Sequence, residues 1–156
     1  MSKQDLLQNL SAERDALAEF EAIYQAEDNL DHLVYPLWTV RDLLAHMVFW
    51  QEAFARNVEA MAHERKPEPL KGRMKELNEQ SVLDMSSIHT LLEKLDQAQQ
   101  IIEQFVGQLP SDAQIPYRKG AQSYTPSRHV AVAAEHFRYH IKHIKKALET
   151  DVVQSA

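Results

Sequence analysis

The chain carries eight histidines and no cysteine, so metal or nucleophilic chemistry here cannot use a thiolate, and the histidines are the first candidates for it. His136 and His140 are four residues apart. On a helix that turns roughly 100° per residue they stand one above the other, the spacing used by two-histidine metal motifs. His129 and His143, each seven residues from His136, fall on nearly the same line, and a slight rotation of the helix would exchange His143 for His140. Arg138, Lys142 and Lys145 point the opposite way, while Phe137, Ile141 and Ile144 flank the histidine line. The line therefore borders the core and not the solvent face. His46 repeats the pattern in another segment, sharing its sector with Leu43, Trp50 and Ala53 while Arg41, Glu52 and Glu59 lie opposite.

A buried imidazole needs a partner for each ring nitrogen, whether a carbonyl, a water or a metal. Three neutral imidazoles brought together make a nest for zinc, nickel or iron and leave coordination positions open for water or substrate. No carboxylate is placed as a base: Asp42 lies near His46 on the helical wheel but a turn closer to the helix start, where capping is its simpler role. His89 is a candidate supporting group or an exposed surface histidine. Trp38, Trp50, Phe49, Tyr139 and Tyr124 could line a pocket or serve as ordinary core.

These residues need long helices to position them. Leu6, Leu7, Leu10, Leu17, Phe20 and Tyr24 recur at three- and four-residue steps and predict a first helix over residues 2–25. Loop chemistry around Pro36 follows, and Thr39 with Asp42 three residues later predicts a capped start to a second helix over residues 40–63. Pro67, Pro69 and Gly72 form a linker. One long third helix is expected from Lys75 to Gly107, stopped by Gly107 and Pro110. Residues 111–124 read as a connection holding at most a helical turn, with no convincing strand anywhere. Thr125 and Pro126 then open a fourth helix reaching about Thr150. Four amphipathic helices make an all-α, four-helix bundle over residues 1–150, with 151–156 a frayed tail.

The net charge of -6, with scattered basic residues, argues against nucleic acid as a partner. No stretch reaches membrane-spanning length, and the N-terminus lacks an apolar leader. Together with the absence of cysteine, this makes a cytoplasmic location the expectation.

The stretch WTVRDLLAHMVFW, Trp38 to Trp50, resembles the second-helix signature of the DinB/YfiT-like four-helix bundles, and AEHFRYHIKHI, Ala134 to Ile144, resembles their last-helix signature. KELNEQSV, Lys75 to Val82, is similar to the third-helix opening of the ClbS/DfsB-type branch. The resemblance spans nearly the whole chain in order. It implies an up-up-down-down bundle, a homodimer, and one divalent metal ion (zinc, nickel or iron) on His46, His136 and His140, with His143 the competitor for His140. It also implies a metal-dependent enzyme of the hydrolase or thiol-dependent transferase type, acting on a small molecule with a low-molecular-weight thiol as possible co-substrate. The alternative is a metal-free bundle that binds a small molecule in a protective role, and an interaction protein using its acidic helix faces is a third reading. Metal binding is expected to weaken as pH falls through the histidine range near about 6.5.

Overall fold

The computed structural model describes residues 3–26, 30–120 and 122–155, and the side-chain surroundings of 4–26, 30–120 and 122–149. Five α-helices carry the fold: α1 (Lys3–Ala26), α2 (Val40–Ala62), α3 (Met74–Ser81), α4 (Ile88–Phe105) and α5 (Pro126–Ser155). The expected frayed tail, 151–156, lies outside the residues whose side chains are described. Four of the helices form the bundle, and α3 is a short accessory element.

Side-chain contacts give the helix directions. Asn9 donates to the carbonyl and hydroxyl oxygens of Ser127 near the starts of α1 and α5, and Lys145 meets Glu19 further along both, so these two helices are parallel. In α2 and α4, Arg41 reaches the Ser86 carbonyl at one end, Gln51 meets Gln99 midway and His63 packs on Phe105 at the other end; this pair is parallel too. His46 meets His136 while Phe54 meets His129, so α2 and α5 are antiparallel. The order is up-down-down-up, which corrects the expected up-up-down-down.

The connections explain the difference. Residues between α1 and α2 form a tight antiparallel pair, β1 (Leu33–Tyr35) with β2 (Trp38–Thr39), and the Tyr24 hydroxyl donates to the Val40 carbonyl at 2.7 Å. That pins the end of α1 to the start of α2 and reverses the chain. A second such pair, β3 (Ile115–Pro116) with β4 (Ser123–Tyr124), tightens the turn into α5. The long crossover is therefore the segment between α2 and α4, which contains α3. Neither strand pair was expected, because pieces of two or three residues are too short to show an alternation.

The expected single third helix is two. Its break lies at Val82–Ser87, where the Asp84 carboxylate accepts from both the amide and the hydroxyl of Ser86, and Ser87 caps α4 by accepting from the Thr90 amide. Local side-chain bonds of this kind offer the backbone an alternative to helix, and here they win over the apolar periodicity.

The N-terminus of α2 behaves as its sequence indicates. Thr39 Oγ1 accepts from the Asp42 amide at 3.1 Å and the Asp42 carboxylate accepts from the Thr39 amide at 2.9 Å, a reciprocal capping box. Asp42 is thus occupied as a cap. Helix α2 is the most deeply buried element, with Val40, Leu43, Leu44, Met47 and Val58 fully inside. Each such side chain contributes roughly 1.5–3 kcal/mol of hydrophobic stabilisation, and together they hold the rotation of α2 that turns His46 inward.

Candidate metal centre

Three helical positions place three imidazoles in one spot. His46 comes from the second turn of α2, and His136 and His140 from successive turns of α5. Their ligand-capable nitrogens lie within 4.8 Å of one another. His136 Nε2 is the shared point, 3.2 Å from His46 Nε2 and 3.0 Å from His140 Nε2. His46 and His140 are buried, and His136 is only slightly more open.

The far side of each outer ring is held by a hydroxyl. Ser81, at the end of α3, donates its proton to the Asn78 carbonyl at 2.6 Å, so toward His46 Nδ1 at 2.9 Å it can only accept. His46 therefore carries its proton on Nδ1, and its Nε2 lone pair is aimed at His136. Tyr35, on β1, sits between two histidines, 3.0 Å from His140 Nδ1 and 2.7 Å from His143 Nδ1. A phenol has one proton, so it donates to one and accepts from the other.

Burial keeps the cluster neutral. It pushes His136 down to about 4, and with the neighbouring histidines added it pushes His140 to about 3 and His46 to about 2. The rings thus keep their lone pairs at neutral pH.

The donor set fits a divalent ion. Three nitrogens at 2.0–2.1 Å from a tetrahedral centre are spaced about 3.3 Å apart, close to the two separations found around His136. Metal-ligating histidines generally donate their other N–H to an oxygen, and Ser81 serves His46 in this way. The group contains no carboxylate. All-imidazole ligation suits zinc, nickel or iron and leaves at least one position free.

Of the other sequence candidates, His143 stands outside the cluster on the far side of Tyr35. His89 is exposed and paired with Glu93 at 2.8 Å, far from a supporting role. His129 is buried with its ring stacked on Phe54, centroids 3.7 Å apart, and its Nδ1 has no partner among the described residues.

Two adjoining cavities, about 360 and 220 Å³, open beside the cluster and share Trp50, Tyr117, His136 and Tyr139 as walls. Trp38 stacks obliquely on His46 and lines the smaller one. Phe49 packs on Trp50, and Tyr124 on His129, without lining either cavity. Sequence reading overlooked Tyr35, Ser81 and Tyr117. Each lies outside the long bundle helices or at a helix end, where helical periodicity carries no information; Ser81, in the KELNEQSV stretch, was the one with a signal nearby.

Comparison with solved structures finds a similar fold in the crystal structure of the mycothiol-dependent maleylpyruvate isomerase, at 13% identity and a TM-score of 0.68. The match covers 92% of this chain and 63% of that one, so this chain spans less than two thirds of that protein. No curated protein matches the sequence. Among the described residues no helix is long and apolar enough to cross a membrane. The model of the DinB superfamily matches residues 4–144, nearly the whole bundle and all three clustered histidines, and the chain belongs to that superfamily.

Proposed function

We propose that this protein is a metal-dependent enzyme of the hydrolase or thiol-dependent transferase type, with one divalent ion held by His46, His136 and His140. The observation that carries the reading is the meeting of three neutral Nε2 atoms, one with its tautomer dictated by a hydroxyl behind it. An ion bound there supplies Lewis acidity to an oxygen or sulfur at its open position. The protein's own part is to hold the imidazoles neutral by burial, to orient them through Ser81 and Tyr35, and to present a substrate from the aromatic cavity. A low-molecular-weight thiol as co-substrate is supported by the mycothiol dependence of the structurally similar isomerase, and a cytoplasmic setting suits such a thiol.

A homodimer accompanies this reading. Leu33, Leu37, Leu83 and Met85 are exposed at the end of the bundle where α2 begins, an apolar set that a second copy would cover. Sedimentation equilibrium should find a dimer at micromolar concentration that Leu37→Glu converts to monomer; monomer throughout removes this part.

Elemental analysis of untagged protein tests the main reading. One zinc, nickel or iron per chain is expected, retained through gel filtration. The aromatic cavity favours the metal-free binding module as the second reading, and protein that neither retains nor takes up these ions would replace the first with it.

A further inference from the structure

Gln51 belongs to two places at once. Only 3% exposed, it lines the larger cavity, about 360 Å³, together with His136 and Glu135. Behind that wall its Nε2 donates to the Glu13 carboxyl at 3.4 Å and to the Gln99 carbonyl at 3.2 Å. Both bonds leave from the amide nitrogen, so the carbonyl oxygen is the end left to the cavity, and it has no partner among the described residues. Unlike the Trp50 indole nitrogen and His129 Nδ1, that oxygen is not walled in. A ligand in the cavity therefore meets an amide whose orientation is set from behind.

One proton sets it. Glu13 is fully buried, and its two oxygens accept from Gln51 and, at 2.7 Å, from Gln99, the pattern of an ionised carboxylate. No other hydrogen-bond partner of Glu13 lies among the described residues. A protonated carboxyl has to donate, and an amide beside it accepts only when turned over, which exchanges oxygen for nitrogen with little change of shape. If Gln99 takes the proton, its NH2 swings toward Gln51, which must turn in answer; if Gln51 takes it directly, Gln51 turns as well. In both cases the Gln51 NH2 comes to face the cavity.

We infer that Glu13, acting through Gln51, sets the hydrogen-bonding sense of the cavity wall: ionised, it shows a ligand the amide carbonyl, which selects an O–H or N–H group, and protonated, it shows the NH2, which selects an acceptor. This rests on the enzyme reading for the cavity as the substrate's place and deepens it by naming what the wall selects. Burial brings the exchange to neutral pH by pushing Glu13 up to about 7 against the pull of the Gln99 and Gln51 bonds, with Glu103 of α4 adding to the rise and Arg14 of α1 opposing it. Across the cavity from α5 stand His129, held at about 3, His136, at about 4, Tyr139, and Glu135, which lies 3.5 Å from Arg128. The Tyr117 phenol completes the ionisable groups of the wall. A divalent charge at His136 favours the ionised carboxyl and with it the carbonyl-facing amide.

Two uncharged probes of similar size test the sense of the wall: indole, which can only donate, and quinoline, which can only accept. Each is titrated into the full chain freed of metal, at about pH 6 and about pH 8, either side of the Glu13 midpoint, and followed by the Gln51 side-chain amide signals in proton–nitrogen correlation spectra. Indole should bind more tightly at the higher pH and quinoline at the lower, so that the ratio of their dissociation constants changes by at least about tenfold, as expected for one hydrogen bond made and another lost. Glu13→Gln, which cannot titrate, should hold the ratio constant, and Gln51→Met should remove the discrimination. The pH series on the unaltered chain decides the matter even if a variant misfolds. A ratio that stays constant there, a ratio that still changes in folded Glu13→Gln, or failure of both probes to bind would overturn the inference. Metal content does not enter these titrations and is settled by elemental analysis, so the metal reading and this one fail separately.

Discussion

Two buried polar clusters sit five residues apart on α2 and are built on opposite principles. Around Gln51, donors meet acceptors: the Glu13 carboxyl accepts from Gln99 at 2.7 Å and from Gln51 at 3.4 Å, and Gln51 also donates to the Gln99 carbonyl at 3.2 Å. That network ties α1, α2 and α4 together with groups that answer one another. Around His46, nitrogens face nitrogens. The Nδ1 side of His46 is already committed to Ser81, so its Nε2 lone pair faces His136 Nε2, which lies comparably close to His140 Nε2 and carries at most one proton when neutral. Complementary partners make a structural lock, whereas converging lone pairs ask for an electrophile.

Removing the shared point should break the second cluster most completely. His136→Ala is expected to lower zinc affinity by at least about 100-fold, measured by chelator competition, while thermal unfolding of the metal-free protein changes little. The control is His143→Ala, expected to matter far less; equal loss would move the ligand from His140 to His143. Burial also sets the pH response. With His136 held at about 4 and His140 at about 3, zinc release on acidification should begin near pH 4 instead of the 6.5 of an ordinary imidazole. Release centred near 6.5 would mean the rings are not buried as described.

Tyr35→Phe should sharpen the same comparison. Ligation through Nε2 requires His140 to donate its Nδ1 proton to Tyr35, which then donates to His143. Losing the hydroxyl should cost about 10- to 100-fold in zinc affinity and alter the visible absorption of the cobalt-substituted protein. An unchanged spectrum and affinity would leave Tyr35 as packing alone.

The Gln51 cluster should answer pH in its own direction. Burial pushes Glu13 up to about 7 from 4.5, so the folded state holds a proton that the unfolded chain releases. Its contribution is therefore fully present below pH 4.5 and is lost as pH rises through about 7, on the order of 3 kcal/mol at the limit. Glu13→Gln should flatten that part of a urea-derived stability profile. A variant whose profile keeps the same slope between pH 4.5 and 7 would show that Glu13 is ionised in the folded protein. The smallest effect belongs to the α2 cap: Thr39→Ala should cost on the order of 1 kcal/mol, with zinc affinity following only if the start of α2 shifts.

Helical periodicity, cap residues and the spacing of His136 and His140 were enough to determine an all-α bundle, the start of α2 at Thr39 and the inward face on which the histidines lie. Those are local properties, governed by 3.6-residue repeats and by hydrogen bonds between residues three or four apart. Helix directions were not legible, because they depend on which connection folds into a tight hairpin and which becomes the crossover. The break at Val82–Ser87 was hidden by an apolar repeat that local Asp and Ser bonds override. Choosing His140 over His143 as the third member of the cluster required the rotation of α5, and that is fixed by burying Phe137, Ile141 and Ile144 against α1 and α2. Tyr35 and Ser81 reach the histidines from 105 and 35 residues away in the chain. Only tertiary packing brings such groups within hydrogen-bond range, because no local rule relates residues so far apart in sequence.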